Sequence, residues 1–221
     1  MRIRDLKKDG LAALKGQWGI AILISIISFA IYAIVPIIGE IIGTGSFSEW
    51  LETEEAPARA QAISFSLSIL LSPILYSCYW AFLDMRRGQR VSVGSLFNKF
   101  QGNFYFKTVG LYLLTTIYTI LWTLLLIVPG IIKGIAYSQA HFILRDNPGM
   151  VINDAITESR KLMDGYKGKY FLLGLSFIGW SLLAILTFGI GFIWLVPYFS
   201  ATLASFYQSL IEQRNNEIIE A

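Results

Sequence analysis

His141 is the only histidine among the 221 residues, and it stands inside an apolar stretch. An imidazole there could relay protons or hold a ligand, because ionisable groups within a membrane are functional candidates by default. No second histidine and no HExxH spacing accompanies it. A polar packing role, with one ring nitrogen bonded to a neighbouring helix, is the plainer reading. Glu40 and Lys133 are the other intramembrane candidates. Each lies near one end of its apolar stretch and between glycines, in Gly39-Glu40-Ile41-Ile42-Gly43 and Gly130-Ile131-Ile132-Lys133-Gly134. Such spacing lets helices approach closely, so a buried Glu40–Lys133 pair could fix packing or line a polar site. The alternative is that both side chains snorkel separately to the interface.

Other chemistry has little to draw on. Cys78 is the one cysteine, which excludes an internal disulfide or a cysteine-based metal site. No GxSxG elbow and no GxxxxGK[ST] phosphate loop is present. Asp146, Asp154, Glu158 and Asp164 fall close together but alternate with Arg160, Lys161 and Lys167. That pattern reads as a solvated, charge-balanced helix. The expectation is no catalytic residue, no metal site and no cofactor. Pro73 and Pro197 lie inside apolar stretches, where each frees the carbonyl four residues earlier, on Ile69 and Ile193. Pro129-Gly130 reads as a tight turn.

The elements that must position these residues are membrane helices. Hydrophobic residues make up 55% of the chain, and charged residues 15% against about 25% in a soluble domain. The mean hydropathy is +0.57. Apolar residues come in blocks near the ~20 needed to cross a bilayer. We place spans at 18–43, 62–83, 106–128, 130–145, 170–188 and 190–211, all within one membrane domain, 1–221. The first span is too long for a signal core and reads as retained. The third and fourth spans form one hairpin broken at Pro129-Gly130. The fifth and sixth form another, reversing at Phe188-Gly189-Ile190-Gly191.

Of the 18 Lys and Arg, all but Arg59 and Lys133 fall on one side of these spans. They include Lys99 and Lys107 in the 84–107 loop. The other side carries Glu49, Glu52, Glu54 and Glu55. Loops rich in Lys and Arg stay in the cytoplasm, so both termini are expected inside. Trp18, Phe104, Tyr105, Tyr170 and Phe171 are placed as an aromatic belt. A net charge of +3, without basic–aromatic interleaving, gives no reason to expect nucleic acid.

Three units share one plan: a short amphipathic stretch, Gly-x-aromatic, then a hairpin. The stretches carry Ile3, Leu6, Gly10, Leu11 and Leu14; then Val93, Phe97 and Phe100; then Ile152, Ala155, Ile156, Met163 and Tyr166. Gly16-x-Trp18, Gly102-x-Phe104 and Gly168-x-Tyr170 follow them. Spacings of three and four put the apolar residues on one stripe. Asn147-Pro148 reads as the start of the third stretch. Each stretch would lie at the interface with its basic residues toward lipid phosphates, or would pack on the bundle as an ordinary loop helix.

The run Leu125-Leu126-Ile127-Val128-Pro129-Gly130-Ile131-Ile132-Lys133, Tyr137-Ser138, Asp146-Asn147-Pro148 and Ser159-Arg160-Lys161-Leu162-Met163-Asp164-Gly165 carries a resemblance. Leu175-Ser176-Phe177-Ile178-Gly179-Trp180, Trp194-Leu195-Val196-Pro197-Tyr198 and Phe206-Tyr207 complete it. The chain resembles the bacterial integral membrane family known as domain of unknown function 975, most densely from about 120 to 210. More distantly it is similar to the membrane domain attached to some glycerophosphodiester phosphodiesterases, whose catalytic domain has no counterpart here. The resemblance implies a bacterial cytoplasmic membrane protein and supplies no reaction.

The expected fold is therefore an all-α, six-span bundle of three amphipathic-helix-plus-hairpin units, both termini inside. The expected function is a non-enzymatic accessory or scaffold. Its partners would be anionic lipid headgroups, a partner protein or a second copy of the chain. A small solute or lipid transporter is the first rival, and a membrane-embedded enzyme built around His141 or Asp84 the second.

Overall fold

The computed structural model describes residues 2–98 and 102–220. Lys99 and Phe100 lie outside the described residues. Every regular element among those described is helical: α1 Ile3–Leu14, α2 Trp18–Thr44, α3 Phe47–Glu52, α4 Ala58–Arg86, α5 Gly102–Leu125, α6 Ile127–Tyr137, α7 Ala140–Asp146, α8 Ile152–Leu162, α9 Lys167–Leu175, α10 Ile178–Leu186 and α11 Phe192–Glu220.

Five stretches are long and apolar enough to cross a membrane: Trp18–Thr44, Ala58–Arg86, Gly102–Leu125, Ile127–Asp146 and Lys167–Leu186. Two of them are broken helices, interrupted at Ser138-Gln139 and at Ser176-Phe177. The sixth expected span, 190–211, falls on the helix α11, which is long but less apolar and is not among these five. Its small and hydroxyl-bearing residues Ser200, Ala201, Thr202, Ala204 and Ser205 are buried against other helices. Side chains on that buried face need not suit lipid, and small ones allow close packing. α11 accordingly touches α1, α2, α4 and α10.

Paired helices run antiparallel, so the molecule has a basic end and a set of hairpin tips. α2 starts and α4 finishes at the basic end, near Arg86 and Arg87. At each tip a glycine replaces a side chain that the partner helix would exclude. A Cβ on Gly43 would fall 2.5 Å from Ala60 Cα, on Gly130 2.7 Å from Thr123 Cα, and on Gly191 2.7 Å from Ala184 Cα.

Gly130 therefore makes a close approach rather than a turn. The α5–α6 reversal occurs earlier, at Leu126, in extended backbone (φ −159°, ψ 138°). Pro129 sits in the first turn of α6, where its missing N–H costs no helix bond. The last hairpin reverses where expected, through Phe188 (φ 52°) and Gly189 (φ 87°). Pro73 and Pro197 lie inside α4 and α11. The Tyr105 hydroxyl donates to the Leu70 carbonyl at 2.7 Å, one residue from the carbonyl that Pro73 frees. The acidic loop is built on α3, whose N-terminus is capped by Ser46 accepting from the Glu49 N–H.

The amphipathic stretches differ from expectation. α1 forms as expected, burying Leu6, Gly10 and Leu14 against the bundle. The second is only a 3₁₀ turn, Val93–Leu96, which buries Leu96 and leaves Phe97 exposed. Gly94 and the Ser92–Ser95 capping box favour a turn over a longer helix. The third, α8, starts after Val151 rather than at Asn147-Pro148. There the Lys107 ammonium ties down the carbonyls of Pro148 and Met150 in a non-helical loop. Its exit glycine is Gly165 (φ 73°), since Gly168 lies inside α9.

Candidate functional site

The side chains most closely engaged with one another meet where α4, α7 and α11 converge at the basic end. Helical spacing puts Tyr76, Trp80 and Asp84 on one face of α4, and His141 and Arg145 on one face of α7. Facing each other, these rows interlock. The Trp80 indole donates to the His141 carbonyl at 3.0 Å. The His141 ring stacks on Tyr76 (4.9 Å, 9°) and lies 5.5 Å from the Tyr79 ring. Phe142 carries the stack on to Tyr207 of α11 at 4.8 Å.

A charge clasp closes this aromatic pile. Arg145 pairs with Asp84, with only 12% and 22% of their side chains exposed. Arg87 grips Asp146 through two bonds of 2.8 and 2.7 Å and donates to Gln208 at 3.0 Å. The Tyr207 hydroxyl donates to Asp146 at 3.0 Å. The bond to Asp146 holds the Arg87 pKa above its usual value, with burial acting against it. Planar, two-point contact of this kind fixes orientation as well as distance.

Each polar candidate has its own surroundings. His141 Nδ1 is buried without a hydrogen-bond partner. No carboxylate or hydroxyl in the described structure bonds to its ring, so the neighbouring-helix bond expected of it is absent. It sits among aromatic faces, and Asp84 is already committed to Arg145. Glu40 and Lys133 do not pair. The Glu40 carboxylate accepts from the Trp50 indole at 3.2 Å, because α3 folds back onto α2. It also lines an open cleft of about 790 Å³ with Gln61, Ser64 and Ser68. Lys133 lies 4.6 Å from the centre of the Trp122 ring on α5. Among the described residues, no cluster of three metal-ligating side chains occurs.

The acidic group read from sequence as one solvated helix divides in two. Glu158 and Asp164 pair with Lys161 and Lys167 on an exposed surface, as expected. Asp146 instead closes the clasp, because α7 ends there and turns it toward Arg87. The sequence signal for the clasp is the match of two four-residue spacings, Trp80/Asp84 and His141/Arg145, with opposite charges at corresponding positions.

Carboxylates near this end are largely neutralised: Asp9 by Arg86 at 3.4 Å, Asp84 by Arg145, and Asp146 by Arg87. Arg4, Lys8, Lys15, Arg90 and Arg160 are exposed and have no side-chain partner among the described residues. Positive charge is therefore left over.

The model of the family described as "Protein of unknown function (DUF975)" matches residues 123–215. That stretch runs from the last turn of α5 into α11 and includes His141, Arg145, Asp146 and Tyr207, so it carries the α7 and α11 sides of the clasp. No curated protein and no solved structure matches the chain.

Proposed function

We propose that this chain is a six-span protein of the bacterial cytoplasmic membrane, with both termini inside. It acts there as a non-enzymatic scaffold that engages anionic lipid at its basic end. The carrying observation is the surplus cations: Asp9, Asp84 and Asp146 are paired, whereas Arg4, Lys8, Lys15, Arg90 and Arg160 are exposed with no side-chain partner among the described residues. An anionic leaflet attracts each nearby Lys or Arg by ~1 kcal/mol. The sixth span in this reading is α11, and the three hairpins are copies of one unit.

The test is purification in mild detergent, followed by mass spectrometry of every lipid and protein that remains bound stoichiometrically. Selective retention of anionic phospholipid is the expected result. A reproducible protein partner or a homo-oligomer, with no lipid preference, would shift the scaffold role to protein recognition. A transporter is the second reading, favoured by the Glu40 cleft and by the two broken helices. Retention of a solute with no lipid preference would move it to first place.

A further inference from the structure

We propose that α1 and the α10–α11 hairpin form a binding site for a single anionic phospholipid, its phosphate on Arg4, Lys8 and Lys15 and one acyl chain in the groove beneath Leu11. This inference rests on the lipid reading above and assigns it a place.

The groove holds about 470 Å³ and is lined by Leu11, Trp18, Trp180, Leu183, Trp194 and Tyr198, among others. It continues toward the hairpin tip at Thr187 and Gly191. It exists because α10 has α11 as its one principal helix neighbour, while α1 crosses α11 higher up. At that crossing Gly10 lies against Thr202, where a Cβ would come 3.0 Å from the Thr202 Cα. The α1 backbone thus sits close on α11, and Leu11 stands beside the contact at the groove's mouth. Lys7 pins the same region, donating to the Ser176 carbonyl at 2.8 Å and lying 4.2 Å over the Phe177 ring.

The occupant follows from charge. Arg4, Lys8 and Leu11 are spaced by four and three residues, which places them on one stripe of α1, and Lys15, four further on, caps its C-terminus. The stripe lies to one side of the buried Leu6, Gly10 and Leu14, with Leu11 next to Leu14 at its edge. All three cations are exposed and none has a side-chain partner among the described residues. Leu11 lies between Lys8 and Lys15 along the stripe and also lines the groove, so the cations flank the opening. A phosphate at the mouth with a hydrocarbon chain below complements both halves. A zwitterionic lipid brings its own cation and satisfies this stripe less well. The neighbouring groove of about 490 Å³ between α2 and α11 has lining residues that include Ile26, Phe29 and Val196 and no charged residue. The lining of the α1 groove is uncharged as well, and what sets it apart is Leu11, which belongs to that lining and sits between Lys8 and Lys15 in the cation stripe.

The experiment is native mass spectrometry of the full chain in mild detergent, with phosphatidylglycerol and phosphatidylcholine of identical acyl chains. One phosphatidylglycerol should be retained about tenfold or more in preference to phosphatidylcholine, since each nearby cation favours anionic lipid by a factor of about five before screening. The triple variant Arg4→Gln/Lys8→Gln/Lys15→Gln should lose the preference. Leu183→Trp, at an exposed groove position, should fill the groove and lose the retained lipid with the cations intact. Lys8→Glu alone should cut the preference several-fold and decides the matter if the triple variant does not fold.

Equal retention of both lipids by the wild type would overturn this site and the lipid reading together. Preference surviving in the triple variant, but lost in Arg90→Gln/Arg160→Gln, would overturn the site and leave the general reading in place. Lipid retained by Leu183→Trp would overturn the acyl-chain groove.

Discussion

At the basic end the helices are joined by large buried side chains and paired charges; at the hairpin tips they are joined by three glycines. Leu14, Phe82, Leu83, Leu96, Leu144, Met163, Phe206 and Tyr207 are all at or below 1% exposure near the basic end. Toward the tips Ile42, Leu124, Leu125, Leu186 and Phe188 face outward, the last fully. The difference follows from the solvent at each level. Where the flanks of the hairpins face lipid, tails as apolar as leucine supply no hydrophobic force between helices, and contact depends on close backbone approach. Toward water, burial and charge-assisted bonding both act. The two ends should therefore fail under different substitutions.

Arg145→Ala should have the largest effect. It leaves Asp84 mostly buried without its cation, and breaking such a pair costs about 3 kcal/mol or more. Unfolding in mixed micelles should report that loss. A change below about 1 kcal/mol would mean that water reaches the pair freely.

Gly43→Ala tests the tips. The new methyl would meet the Ala60 backbone, which cannot yield as a flexible side chain does. Overpacking of this kind costs about 1–3 kcal/mol. Gly179→Ala in α10 is the matched control, because nothing lies within 4 Å of the added carbon. It should be neutral or stabilise by up to about 1 kcal/mol through helix propensity. Equal losses at both positions would abolish the distinction between packed and open glycines.

Tyr207→Phe returns to the basic end and removes one bond to a carboxylate that keeps two others. The expected loss is about 1.5 kcal/mol. In Arg87→Met the same tyrosine change should cost a different amount, because bonds to one carboxylate are coupled. Strict additivity of the two would show that Arg87 and Tyr207 hold Asp146 independently.

Most of the helical plan is legible in the sequence, because apolar blocks bounded by charge carry it directly. α2 begins at Trp18 as expected, and α10–α11 reverses through Phe188 and Gly189 as expected. At α11 the expected span and the structure differ, since the helix is not among the five apolar enough to cross a membrane. Ser200, Thr202 and Ser205 lower its apolar character, and all three are buried against other helices. Gly130 shows a second limit. A Pro-Gly pair can mark a turn or a close approach, and only the position of Thr123 across the hairpin distinguishes them. The clasp was hidden for a related reason. Asp146 looks solvated beside its chain neighbours, and its partners Arg87 and Tyr207 are 59 and 61 residues away. Glu40 and Lys133 were conspicuous charges, yet each is occupied by a tryptophan on an adjacent element.

Lys7 joins the two regimes, since its ammonium reaches from the basic end to the carbonyl left at the α9–α10 break. Burial lowers its pKa from the usual 10.5. The folded chain then binds this proton less tightly than the unfolded chain. Between the lowered value and 10.5 the unfolded state holds more proton, so the Lys7 contribution to stability rises with pH across that window. The stability difference between wild type and Lys7→Met should therefore shift in favour of wild type as pH climbs to about 10.5. This is the smallest of the expected effects, because the side chain remains partly exposed and solvent screens it. A difference that falls with rising pH would show the opposite balance. The Ser176 carbonyl and the Phe177 ring would then stabilise the charged ammonium more than burial opposes it, and Lys7 would anchor α1 by its charge rather than despite it.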